Sequence, residues 1–394
     1  MRPLFLLVTL PLLVGLAMAD NHNFAVGTCK AHATSFTLIQ TAVNAVPPGS
    51  TISVCPGVYP EQVTISKPLT LQGIASNNAD QAVIVVPSGG LNVNVTSISG
   101  EPVAAQVLVQ NTSDVNLSNI VVDGTGGTQS CSTTGIWLAG IFYASSSSGS
   151  VSHVRASGQS DDGCGVGIWA ENAGGGPYQS VSITGSSVHD VDGAGISLLT
   201  QSPSTLTVEV ENNYISSQPG IGVFAVGVSG DVSNNNLNNS FAGIFDFAAS
   251  ARISSNEVNS TTFGIAMIST GSAQGNDIAN TSNGVYLEGD GANIQSNRIT
   301  LASMAAVEFN CHVATVNNNR INDAAVGLND VPAGFNGSNT FFNTGTIITN
   351  GCAAPLAPAS AVRGTAPMAA GASSSRSGML SQWRTPANPK GIPH

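Results

Sequence analysis

A small residue followed by an aliphatic one recurs along most of the chain. The pair occurs at Gly135-Ile136, Gly167-Ile168, Gly195-Ile196, Gly222-Val223, Gly243-Ile244, Gly264-Ile265, Gly284-Val285, Ala306-Val307 and Gly327-Leu328. Successive spacings are 32, 28, 27, 21, 21, 20, 22 and 21 residues. A second ladder of the form Asn-x-aliphatic runs out of phase with the first, at Asn213, Asn235, Asn256, Asn276, Asn297 and Asn319, spaced 22, 21, 20, 21 and 22. Two columns of different chemistry with one period define a repeat. The segments between them are short and alternating, such as Ile265-Ala266-Met267, with no helical period. This pattern predicts a stacked, all-β solenoid. Gly and Asn are expected at the turns, where positive φ is needed. Stacked Asn side chains are expected to hydrogen-bond to one another, a structural role.

Strand alternation sends the residue after each small one inward: Ile136, Ile168, Ile196, Val223, Ile244, Ile265, Val285, Val307 and Leu328. The next position points outward and reads Trp137, Trp169, Ser197, Phe224, Phe245, Ala266, Tyr286, Glu308 and Asn329. Five of these nine are aromatic in a chain that is 5% aromatic, so the column is enriched in rings. Flat rings with polar rims suit sugars, which makes Trp137, Trp169, Phe224, Phe245 and Tyr286 candidate substrate-binding residues on a solvent-facing strip. Cross-strand stacking accounts for the same rings without a ligand. The longer early spacings place insertions near Ser145–Gly149, Gly174–Gln179 and Ser202–Thr205, and protruding loops are common places for function.

Ahead of this repeat, the segment FTLIQTAVNAVPPGSTISVCPGVYPEQVTISKPLTLQG resembles the opening of right-handed parallel β-helix proteins. These include pectin esterase-like and pectate lyase-like enzymes and NosD-type proteins. The resemblance covers about residues 30–345. It implies a single-stranded right-handed parallel β-helix with a short N-terminal capping helix at Phe36–Val46. The first strands would be Ile52–Val54, Val63–Ile65 and Leu69–Gln72. It implies no one activity, since the fold hosts many chemistries and non-enzymes.

The two ends differ from this body. Arg2, an apolar run from Leu4 to Leu16 and Ala17-Met18-Ala19 read as a signal peptide over residues 1–19. Residues 20–352 form the β-helix domain, and residues 353–394 read as an Ala/Pro/Ser-rich basic tail. Export implies a secreted, periplasmic or cell-envelope protein with no membrane span once the signal is removed. It also places the six cysteines where disulfides form. Sequence order suggests Cys29–Cys55, Cys131–Cys164 and Cys311–Cys352. The repeat supports the second pair, because Cys131 lies four before Gly135 and Cys164 three before Gly167.

Charge narrows the partners. Only 8% of residues are charged, against about a quarter in ordinary domains. The net charge is -11; residues 20–352 hold 22 acids and 6 bases, and residues 353–394 hold 4 bases and no acid. An acidic body excludes nucleic acid as its partner. A polysaccharide or cell-surface glycan is the expected partner, and a monomer the expected state.

Acids precede two of the strands. Asp162 and Asp190 each lie five before a ladder glycine, and Asp161 and His189 each six before. With no insertion between them, Asp162 stacks on Asp190 and Asp161 on His189, one coil apart. Carboxylates about 5 Å apart suit a retaining glycosidase, and the same oxygens suit Ca²⁺. Solvated turn aspartates give the same sequence. DDGCGVGIW followed by GAGISLL also resembles the polygalacturonase series, in which an Asp pair precedes a Gly-His-Gly turn. Asp161 and Asp162 match that pair. Ala194 stands where the family has His, and the Asn-Thr-Asp and Arg-Ile-Lys motifs are missing. His22, His32, His153, His312 and His394 are scattered and read as structural or surface residues, with no cofactor implied.

Three functions remain open at this point. One is a glycan-binding or glycan-cleaving β-helix for a neutral or weakly charged polysaccharide. The second is a non-catalytic adhesion or structural rod. The third, a calcium-assisted polyuronate lyase, is disfavoured because an acidic body repels a polyanion.

Overall fold

A computed structural model describes residues 23–74, 81–127, 131–160, 162–173, 179–217, 219–268 and 270–352. The expected signal peptide, the expected basic tail, Asp161 and most of the Gly174–Gln179 insertion lie outside the described residues.

Most coils contribute three strands, the second and third running together in Glu257–Ile268, Asp277–Leu287 and Arg298–Glu308. Leu206–Glu211, Tyr214–Ser216 and Ile221–Val226 form one coil. Ser229–Ser233, Asn236–Asn238 and Ala242–Phe247 form the next. They stack in parallel register, with Val210 opposite Val232, Ile215 opposite Leu237 and Val223 opposite Ile244. The first strand of each coil joins a 13-stranded sheet, and the other two join a 22-stranded sheet that wraps the rest of the coil. The fold is the parallel β-helix expected from the repeat. Among the described residues, helix is confined to Ile39–Ala45 and Cys131–Thr134. The first caps the N-terminal end by burying Ile39, Ala42 and Val43 against the core. Its own N-terminus is closed by Glu61, whose carboxylate accepts from the Ile39 and Gln40 N–H groups at 2.8 and 2.9 Å.

The inward column runs Val107, Ile141, Ile168, Ile196, Val223, Ile244, Ile265, Val285, Val307 and Leu328, all buried in one continuous core. Ile136, expected in this column, is not in it. The in-phase pair is Gly140-Ile141, 27 residues before Gly167-Ile168, which matches the next two spacings. Trp137 therefore lies opposite Val103, and Phe142 takes the place assigned to it beside Trp169.

The ladder glycines answer a steric demand rather than a dihedral one. A Cβ on Gly264 would meet the Gly284 carbonyl oxygen at 2.4 Å and Ile278 Cγ2 at 2.5 Å. The positive φ sits instead on the residue before each ladder asparagine, as at Asn212, Asn234, Ser255, Gly275, Ser296 and Asn318. The asparagines close the turn that follows. Each side chain from Asn213 to Asn319 donates to the next Asn Oδ1 at 2.9–3.0 Å, and Asn339 ends the series. The three disulfides pair in sequence order, with Cα separations of 5.6, 6.1 and 5.4 Å.

Candidate functional site

The outward column starts from the registers just described. Phe142, Trp169, Ser197, Phe224, Phe245, Ala266, Tyr286, Glu308 and Asn329 occupy successive coils. It is not uniformly open to solvent, as the sequence suggested. Phe142 is fully buried and Trp169 is 3% exposed. They belong to a second apolar cluster outside the coil, with Leu108, Val166, Leu199 and Val226. Val95 and Ile98 pack on this cluster from the hairpin that pairs Val95–Thr96 antiparallel with Pro102–Val109. Trp137, off the column, meets Trp169 edge-on at 5.7 Å between ring centroids.

Past Ser197 the strip opens only at Phe224, Tyr286 and Asn329, while Phe245, Ala266 and Glu308 stay buried. Phe224 and Tyr286 are half-buried, and Phe224 lies 5.6 Å from the more buried Phe245. Phe263 joins Tyr286 at 4.8 Å and Phe241 at 5.3 Å. Polar groups flank the rings. The Tyr286 hydroxyl donates to Glu288 Oε1 at 3.1 Å, and Asn329 Nδ2 donates to Glu308 Oε2 at 2.8 Å. At the coil spacing of about 4.8 Å the column thus runs through two rings, Ala266, a third ring, and then Glu308 and Asn329.

The aspartate turn is arranged differently from the stacked pair expected. Ser157 lies opposite His189, and Val166 opposite Ala194. Nine residues separate the first members and five the second, so the earlier turn holds an insertion of four. That insertion breaks the phase on which the Asp162–Asp190 stack depended. Asp162 instead accepts from Ser132 Oγ at 2.9 Å, beside the Cys131–Cys164 bridge. Asp190 pairs with its neighbour His189 at 2.7 Å on an exposed turn. Asp192 faces the insertion, accepting from the Gly165 N–H at 2.8 Å and Ser160 Oγ at 3.0 Å, which ties two coils together. Among the described residues no group of three or more His, Cys, Asp or Glu side chains gathers to hold a metal ion.

Sequence reasoning missed Glu171. It stands two residues beyond Trp169 and so on the same outward side, which is the signal that could have found it. The hairpin covers it to 1% exposure, and Ile98 N–H donates to its Oε1 at 3.1 Å. Burial, and secondarily the charge of Glu101, push its pKa up to about 8 against the Ile98 hydrogen bond. Burial thus favours the neutral acid form of Glu171 beneath the hairpin. Asp246 is also fully buried, on the inward column beside the one described above.

No protein-family model matches the chain, and no curated protein matches it. Solved structures do. The A-module of mannuronan C-5 epimerase from Azotobacter vinelandii superposes with a TM-score of 0.51 at 16% identity, over 80% of this chain and 93% of that one. The family 28 exopolygalacturonase of Yersinia enterocolitica superposes with a TM-score of 0.55 at 10% identity, over 79% and 73%. At such identities the likeness is one of fold, the right-handed parallel β-helix.

Proposed function

We propose that this is an exported β-helix protein that binds a neutral or weakly charged polysaccharide along the open half of its outer aromatic strip. The observation that carries the reading is the run of Phe224, Phe245 and Tyr286 on one outward column, interrupted by Ala266 and flanked by Glu288 and Glu308. Trp137 and Trp169 support that run from below the hairpin. The two neighbours act on polysaccharides by their names, which favours a glycan ligand over a merely mechanical rod. Three disulfides suit an oxidising, extracytoplasmic location. The reading is one of binding, because Asp162 accepts from Ser132 and Asp190 pairs with His189, so the expected stack of these two carboxylates is not formed.

A glycan array probed with the full-length protein tests this. Neutral oligosaccharides are expected among the binders, and Phe224→Ala and Tyr286→Ala should each weaken them by about 1–2 kcal/mol, as for a lost ring in a partly exposed site. Binding that is unchanged in both variants, or no glycan bound at all, would reject the strip as the site.

A further inference from the structure

A different outward column crosses the middle strand of each coil. It runs Val121, Arg155, Ser187, Tyr214, Asn236, Glu257 and Asp277. At its start lies an open groove of about 220 Å³, lined among others by Gln81, Asn119, His153, Arg155 and Ser187, with no carboxylate among the described residues of its wall. Most basic side chains of the described body are already engaged. Arg252 and Arg298 pair with Asp231 and Asp277, Lys67 donates to carbonyls, and Lys30 to Ser53. Arg155 is exposed and makes no hydrogen bond or ion pair among the described residues. His153 is also exposed, and its ring lies over Gly185, where an added Cβ would meet Nε2 at 3.2 Å. Two coils beyond Arg155, about 10 Å along the stack, Tyr214 is 48% exposed.

We infer that this groove binds a glycan carrying a single anionic sugar, with the carboxylate between Arg155 and His153 and the ring lying over Ser187 against Tyr214. The guanidinium fork matches a carboxylate in geometry, and an exposed Tyr face suits a sugar ring. The groove is smaller than the roughly 300–1,000 Å³ of a drug-sized ligand site, so it holds one sugar rather than a chain. The same column selects for a lone anion. A polyanion laid along it would bring a further carboxylate against Glu257, before it reached Asp277, whose charge Arg298 already offsets. The inference rests on the glycan-binding reading for its ligand class, but it uses none of the residues of the aromatic strip.

Titration of the full-length chain, followed by NMR, with methyl glucuronide, methyl glucoside and sulfate tests it. The glucuronide should bind at least tenfold more tightly than the glucoside. Arg155→Gln should abolish that preference, Arg155→Lys should keep only part of it, and Tyr214→Ala should weaken both sugars. Phe224→Ala should leave the preference intact, which separates this site from the strip. Equal binding of the two sugars, or a preference that survives Arg155→Gln, would overturn the inference. So would sulfate binding as tightly as the glucuronide, with Tyr214→Ala of no effect, since that describes a bare anion site. Glucuronide binding that fails while a Phe224-dependent neutral glycan still binds would remove this inference and leave the strip standing.

Discussion

Replacing Asn276 with leucine is expected to lower stability by about 4 kcal/mol, although the number and branching of side-chain heavy atoms are kept and no charge changes. The side chain makes four hydrogen bonds. Its Nδ2 donates to the Ile253 carbonyl at 3.1 Å and to Asn297 Oδ1 at 2.9 Å. Its Oδ1 accepts from the backbone N–H and the Nδ2 of Asn256 at 2.9 and 3.0 Å. Leucine removes all four and strands the partners in a buried site, where each unsatisfied group costs about 1–3 kcal/mol. Relaxation and the partners' remaining hydrogen bonds relieve much of that cost, which sets the figure at the low end of the summed range. Asn339, at the half-buried end of the ladder, donates to the Val316 carbonyl and accepts from Asn319. The same change there should cost about half as much, because water can reach the orphaned groups. Urea unfolding of the two variants measures the difference. A loss below about 1 kcal/mol for Asn276→Leu would mean that the ladder does not hold the coils together.

Ile265→Asp should cost still more, at least about 5 kcal/mol, and leave little folded protein at 37 °C. Ile265 is fully buried between Ile244 and Val285 on the inward column. Truncating such a residue costs about 2–5 kcal/mol by itself, and an unpaired carboxylate in that position adds several more. Thr262, exposed on the same strand, is the control. Thr262→Asp should leave the melting temperature within a degree or two, as surface changes do. Equal melting of Ile265→Asp and the parent protein would place Ile265 outside the core.

What the sequence revealed depended on how regular the coil was. From Asn213 onward the spacing varies by one residue, and both ladders assign every side chain to its observed face. Ile265 points in, Phe245 points out, and Asn276 joins Asn256 to Asn297. Ahead of that point two local irregularities shifted the phase. Gly135 and Gly140 both fit the small-aliphatic pattern, and only the register with Val107 and Ile168 selects Ile141. The four extra residues before Val166 carried Asp162 away from Asp190. Turn insertions are decided by tertiary packing and leave no periodic trace, so this part of the candidate site was not legible. The burial of Trp169 and Glu171 was hidden for a related reason. The hairpin over them comes from about 70 residues earlier, a long-range contact that alternation along a strand cannot report. Arg155 and His153 were visible as residues but not as neighbours of Gln81 and Asn119, which other coils bring to the same groove.

Carbene footprinting of the full-length protein, with and without a bound neutral oligosaccharide, tests the central claim most directly. Protection is predicted on Ile221–Val226, Ala242–Phe247 and the Tyr286 end of Asp277–Leu287, the open half of the aromatic strip. Protection confined to strands of the 13-stranded sheet, such as Leu206–Glu211 and Ser229–Ser233, would contradict it.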